Sequence, residues 1–128
     1  MKVLNFGSLN IDMVYSVDHV VRPGETTASA ELRYFCGGKG LNQSVALARA
    51  GAEICHAGCV GADGGRLISL LRDNGVDTSL VTESESPSGH AIIQVDRDGQ
   101  NSILLFGGAN MEITPEQIEN AVGNFSAG

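Results

Sequence analysis

The sequence predicts an α/β fold, with a partial parallel sheet flanked by helices and a small second β-sheet. Apolar strand-like runs alternate with alanine- and leucine-rich helical runs between residues 2 and 75. This alternation favours parallel strands joined by right-handed helical connections. Further strand-like segments lie outside these strand–helix units. Two of them, His90–Val95 and Ser102–Phe106, flank Asp98-Gly99, a dipeptide typical of a hairpin turn.

Length and composition indicate one soluble domain. The chain has 128 residues, of which 42% are hydrophobic, enough to bury a core. Its formal net charge of −7 argues against nucleic acid and anionic membrane as partners, because both attract basic surfaces. No apolar run approaches the ~20 residues that span a bilayer, and Met1 leads directly into a strand-like run without a signal-peptide pattern. A cytoplasmic location is therefore expected.

The first strand is predicted at Lys2–Phe6, and a polar segment follows it. The carboxyl ends of strands are where open α/β sheets bind ligands. Asn10 and Asp12 are two residues apart, so in an extended segment their side chains point the same way. An amide beside a carboxylate suits a pair of vicinal hydroxyls. The alternative is an Asx turn that only caps the strand.

A glycine-rich segment, Gly37–Asn42, precedes a helix predicted at about residues 41–50. Its glycines allow a sharp turn and close approach of a ligand, and the following helix presents unpaired N–H groups. Lys39 adds a positive charge, and Asn42 can donate and accept hydrogen bonds. The segment is not a Walker P-loop, since Gly40 stands where Ser or Thr is needed. It is either a site for an oxygen-rich small molecule or a glycine-rich turn with a surface lysine.

The second strand–helix unit has its strand at Glu53–Val60 and a leucine-rich helix that ends at Asn74-Gly75. Asp63 precedes that helix and is predicted to be its N-cap. A last helix is predicted to begin at Thr114–Gln117, where Thr, Pro and Gln have the spacing of a capping box.

Five short motifs stand in an order that resembles the ribokinase-like (PfkB) carbohydrate kinases, over nearly the whole chain. They are Gly7-Ser8-x-Asn10-x-Asp12, Pro23-Gly24-Glu25-Thr26, Gly37-Gly38-Lys39-Gly40-x-Asn42-Gln43, Val60-Gly61-x-Asp63 and Gly107-Gly108-Ala109-Asn110. Leu41 departs from the small residue expected there. The resemblance implies a Rossmann-like parallel sheet and a β-sheet lid, with lid strands at approximately residues 12–17, 30–36, 90–95 and 102–106.

The resemblance also implies a function: transfer of the ATP γ-phosphoryl group to the 5-hydroxyl of D-ribose. The implied cofactors are ATP, Mg²⁺ and a monovalent cation such as K⁺, and the implied partner is a second copy of the chain, joined through the lid strands. The substrate-binding residues carried over are Asn10, Asp12, Gly38, Lys39 and Asn42, with Gly37, Gly40 and Asn110 as further candidates.

Family members continue into a second half that holds the catalytic base, an anion hole, the nucleotide pocket and the cation loop. None of those motifs occurs in this sequence, so we expect the N-terminal, sugar-binding half, with neither a catalytic residue nor a metal site, and inactive by itself. Two alternatives stay open. One is a non-catalytic sugar-binding or assembly module, and the other is another sugar or nucleoside kinase of the family.

Overall fold

A computed structural model describes residues 1–125 of the chain and shows two β-sheets with flanking helices. The strands are β1 (Lys2–Phe6), β2 (Asn10–Ser16), β3 (Glu31–Gly37), β4 (Glu53–Val60), β5 (Asp77–Glu83), β6 (Gly89–Val95) and β7 (Asn101–Phe106). The helices are α1 (Lys39–Arg49), α2 (Gly65–Asp73) and α3 (Pro115–Gly123), with a short 3-10 helix at Gly108–Met111. The predicted α/β fold with a second small sheet is confirmed.

The main sheet is parallel, in the order β1-β4-β5. Its central strand β4 is buried at every residue from Ile54 to Val60, as expected for a strand covered on both faces. Helices α1 and α2 contact this sheet and each other. The core consists of Leu9, Ile11, Leu41, Val45, Ile54, Val60, Leu67, Leu71 and Val76. Among residues 1–125, no helix is long and apolar enough to cross a bilayer.

The second sheet has four strands in the order β3-β2-β6-β7. Strands β2 and β6 are parallel, and the outer pairs are antiparallel. The β6–β7 connection turns at Gly99, whose φ is +77°, as a glycine-containing hairpin turn requires. Large apolar side chains on this sheet are exposed, at 58% for Ile103, 68% for Leu104 and 65% for Leu105. This sheet is therefore much less covered than the main one.

Local capping agrees with the sequence at one helix and differs at another. Thr114 and Gln117 form the predicted capping box of α3: Gln117 N donates to Thr114 Oγ1 at 3.2 Å, and Thr114 N donates to Gln117 Oε1 at 3.0 Å. The N-cap prediction for Asp63 is wrong, because Gly64 occupies that position without a side-chain bond. The Asp63 carboxylate instead accepts from Ser88 N at 2.8 Å and joins the β4–α2 turn to the segment before β6.

Candidate functional site

A cavity of about 500 Å³ lies between the second sheet and the start of α1. It contains all five principal candidates from the sequence and also Asn110. Its polar lining is Ser8, Asn10, Asp12, Gly38, Lys39, Asn42, Gly107 and Asn110, and its apolar lining is Ala91, Ile93, Ile103, Leu105, Phe106 and Met111. Sequence reasoning missed this apolar wall. Alternate residues of β6 and β7 form most of it, and Phe106 and Met111 complete it.

Asn10 and Asp12 lie in strand β2 and point into the cavity from one face of the second sheet. They are paired with β3 on one side and β6 on the other, so the Asx-turn alternative is wrong. Among residues 1–125, the Asp12 carboxylate has neither a hydrogen-bond nor an ion-pair partner, and burial raises its pKa. A partly buried carboxylate without a protein partner is suited to accept hydrogen bonds from a ligand.

Gly37 provides the space that Asp12 occupies. Gly37 is paired with Asn10 and is a diagonal neighbour of Asp12 across the β2–β3 pair, and a Cβ at position 37 would collide with the Asp12 carboxylate. Gly37 is buried and is not part of the cavity lining. Gly37 therefore contributes to the site by leaving room for the Asp12 side chain.

The glycine segment packs closely against the turn after β1. Gly38 has φ +97°, and a Cβ there would lie 2.7 Å from the Ser8 carbonyl oxygen. A Cβ on Gly40 would lie 2.5 Å from the Gly7 carbonyl carbon, and Leu41 N donates to Ser8 O at 3.0 Å. This contact brings the first turn of α1 beside the start of β2.

Lys39 and Asn42, both exposed, project from the first turn of α1 into the cavity, opposite the second sheet. Gly40 is buried and does not line it. Leu41 is 1% exposed and belongs to the main core, so the residue that departs from the family pattern is not in contact with the cavity.

A buried polar network lies beneath the glycine segment. His56, in β4, contacts Ser44 Oγ through Nδ1 at 2.7 Å and Gly7 O through Nε2 at 3.1 Å. Asn5 Nδ2 donates to Ser44 Oγ and to Gly40 O, both at 2.8 Å. Because a carbonyl only accepts, Nε2 of His56 carries the proton and Ser44 donates to Nδ1. Burial lowers the pKa of His56, which favours this neutral form. The sequence signal for this buried network was a histidine inside an apolar strand.

Asn110 contacts two consecutive residues of the β1–β2 region. Its Oδ1 accepts from Leu9 N at 2.9 Å. Its Nδ2 donates to Leu9 O at 3.1 Å and to Asn10 Oδ1 at 2.7 Å. The residue thereby joins the segment after β7 to the start of β2.

A second cavity of about 320 Å³ lies on the opposite face of the second sheet, and none of the predicted site residues lines it. Within residues 1–125, no group of three or more His, Cys, Asp or Glu side chains is placed to share a metal ion.

Comparison with known proteins identifies similar chains. Ribokinase from Staphylococcus aureus (strain COL) is 39% identical over 124 residues, which is 94% of this chain and 41% of that protein. The crystal structure of ribokinase from Cryptococcus neoformans var. grubii serotype A in complex with ADP is 42% identical, with a TM-score of 0.79, covering 84% of this chain and 35% of that one. The structure of Arabidopsis thaliana ribokinase complexed with ribose and ATP is 33% identical, with a TM-score of 0.79, covering 96% and 42%.

The chain thus spans about 41% of the length of the Staphylococcus relative. The family model described as pfkB family carbohydrate kinase matches residues 1–128. The chain belongs to the pfkB family of carbohydrate kinases.

Proposed function

We propose that the cavity is the sugar subsite of an ATP-dependent carbohydrate kinase that phosphorylates D-ribose to ribose 5-phosphate. The observation that carries this proposal is the Asp12 carboxylate, which has no hydrogen-bond or ion-pair partner among residues 1–125 and faces the cavity beside the Asn10 amide. The relatives named above are ribokinases, and the Arabidopsis structure contains ribose and ATP.

The chemistry of the lining suits a polyhydroxylated ring. Asp12 accepts hydrogen bonds from hydroxyl groups, while Lys39 and Asn42 supply donors from the other side of the cavity. The volume of about 500 Å³ is within the range of small-molecule sites. The apolar side chains of β6 and β7 supply a surface for the carbon face of a sugar. Asn10, Asp12, Gly38, Lys39 and Asn42 are the proposed binding residues, and Gly37 and Gly40 support them through close packing.

Residues of this chain hold the sugar in this proposal, and phosphoryl transfer requires more of the protein. ATP use is supported by the relatives solved with ADP and with ATP. The family resemblance implies Mg²⁺ and K⁺, and the role proposed for the residues of this chain does not involve either ion. We propose that residues 1–128 alone bind ribose without transferring phosphate. A cytoplasmic location stays a prediction from the sequence.

We also propose that two copies of the chain associate through the second sheet, which would then act as a lid over the sugar. The support is the exposure of Phe35, Ile103 and Leu105 on the face that bears Asp12 and of Leu104 on the opposite face, each at least 50% accessible. An uncovered sheet face of this kind and the free edge of β7 favour contact with another chain.

Titration calorimetry with D-ribose and the variant Asp12→Asn tests the sugar subsite. We expect saturable binding to the unmodified chain and a loss of about 1.5–3 kcal/mol of binding free energy in the variant, because a charge-assisted hydrogen bond is removed. The free energy of unfolding should stay equal or increase, since burial disfavours the charge on Asp12. The matched control is Asp98→Asn in the exposed hairpin turn, where Asn-Gly is equally suitable.

Unchanged ribose affinity in Asp12→Asn, or absence of binding to the folded unmodified chain, would contradict the proposal.

A coupled assay with ribose, ATP and Mg²⁺ tests whether residues 1–128 bind ribose without transferring phosphate. Turnover in the range of ~1–100 s⁻¹ typical of kinases would show that residues 1–128 suffice for the reaction.

A further inference from the structure

The side-chain amide of Asn110 has one permitted orientation, because it contacts both polar groups of one backbone residue. Leu9 N–H can only donate, and Leu9 C=O can only accept. The Asn110 oxygen must therefore face the Leu9 nitrogen, at 2.9 Å, and the Asn110 nitrogen must face the Leu9 oxygen, at 3.1 Å. Reversing the amide would place two donors together and two acceptors together.

The orientation of the Asn110 amide also determines the orientation of the Asn10 amide. The Asn110 nitrogen also lies 2.7 Å from the Asn10 side chain, so the atom of Asn10 that it meets must be the oxygen. The Asn10 NH₂ group is then left without an acceptor among residues 1–125, on a side chain that lines the cavity. Gly89 leaves room for the pair, because a Cβ there would collide with both amides.

We infer that Asn110 is a positioning residue that holds Asn10 with its NH₂ group available to the ligand, so that the ligand atom facing Asn10 must be a hydrogen-bond acceptor. The inference rests on the proposed sugar subsite for the nature of the ligand. Asp12 accepts and Asn10 donates, so the two side chains present opposite hydrogen-bonding roles along one strand. The matching ligand has one hydroxyl that donates to Asp12 and a neighbouring oxygen that accepts from Asn10.

Direct contact between Asn110 and the ligand is the competing reading, since Asn110 also lines the cavity. Both donors of its NH₂ group already have partners in Leu9 O and Asn10 Oδ1, and its oxygen accepts from Leu9 N with one of its two lone pairs. A ligand could bind its NH₂ group only by replacing one of these bonds. The geometry therefore favours action through Asn10.

Solvent exchange of side-chain amide protons, measured by NMR on the ligand-free 128-residue chain, tests the orientation without any sugar. We expect slow exchange for the Asn110 NH₂ protons and fast exchange for those of Asn10. The opposite pattern would mean that Asn10 donates to Asn110, and would overturn the inference. This readout is independent of the proposed function, which fails separately if the folded chain does not bind ribose.

A double-mutant cycle with D-ribose tests the consequence for binding. Asn110→Ala should weaken binding by roughly 3- to 10-fold when Asn10 is present, which is the size of one hydrogen bond. In the Asn10→Ala background the same change should have an effect of less than about twofold, because the side chain it positions is gone. Equal losses in both backgrounds would indicate direct contact or a general distortion of the fold, and would overturn the inference.

Discussion

The two sheets of this chain differ in how completely they are covered. In the main sheet, β4 is buried from Ile54 to Val60, and both ring nitrogens of His56, the one polar side chain in that buried run, are hydrogen-bonded. In the second sheet, one face borders the cavity, and the Ile103, Leu104 and Leu105 side chains of β7 are more than half exposed. The candidate site lies where a buried layer meets an open one. The buried layer sets the position of the glycine segment, and the open layer leaves room for a ligand.

The strongest test of this contrast is one substitution made in each layer. Leu67→Ala in α2 removes a side chain that is 0% exposed and should cost about 2–5 kcal/mol of unfolding free energy, through lost burial and a cavity. Leu104→Ala in β7 removes one that is 68% exposed and should cost less than about 0.5 kcal/mol in a monomer. Urea denaturation of both variants measures the difference. Similar losses would mean that the second sheet is covered in solution.

The next largest effect concerns the contact between the glycine segment and the main sheet. Gly40→Ala places a methyl group 2.5 Å from the Gly7 backbone, so we expect a loss of about 1–3 kcal/mol from forced separation. Gly65→Ala is the control: it is also helical, has nothing within 4 Å of the added Cβ, and should gain about 0.4–1 kcal/mol. Ribose affinity should fall with Gly40→Ala alone. A stable Gly40→Ala variant with normal affinity would contradict the tight-contact interpretation.

Association through the second sheet would reduce the difference between the two sheets, because a second copy of the chain would then cover the second one. Ile103→Lys and Leu104→Lys place a charge on opposite faces of β7. Burying that charge in an interface is unfavourable. We expect the substitution on the interface face to raise the dissociation constant at least about tenfold, or 1.4 kcal/mol, in sedimentation velocity over a concentration series. A monomeric unmodified chain at tens of micromolar would refute the proposed dimer.

The smallest effect is a difference in pH dependence between two histidines. Burial lowers the pKa of His56, so its contribution to stability is complete above the unfolded pKa of about 6.5 and declines as pH falls below it. Hydrogen bonds to Asp18 and Glu25 raise the pKa of exposed His19, next to β2, which gives a weak dependence of opposite sign. Denaturation midpoints should therefore fall as the pH is lowered from 7.5 to 5. The free energy of unfolding should fall by at most about 1.4 kcal/mol per pH unit because of His56.

Variants of each histidine separate the two contributions. His56→Gln should be less stable at neutral pH, and its stability should change less between pH 7.5 and 5. His19→Gln should keep the direction of the slope and make it slightly steeper, because the weak opposing contribution of His19 is gone. If His19→Gln removes the slope and His56→Gln does not, the assignment of the pH dependence to the buried network is wrong.

Features with a short-range physical cause were predictable from the sequence. The α3 capping box, the Asp98-Gly99 turn and the strand–helix alternation each depend on residues close together in the chain, and the structure agrees with them. Asp63 was mispredicted because its partner is the backbone of Ser88, 25 residues away. A local pattern cannot report an acceptor that is already occupied by a distant donor.

Periodicity and short motifs were enough to predict the fold class, the family and the polar residues around Asn10, Asp12 and the glycine segment. How those residues share the work of the site follows from their arrangement in three dimensions. Gly37 and Gly40 are positioned for close packing, and Asn110 hydrogen-bonds to Leu9 and Asn10 across 100 or more residues of sequence. The physical reason is that steric exclusion and hydrogen-bond direction act between neighbours in space, and chain folding alone makes these residues neighbours.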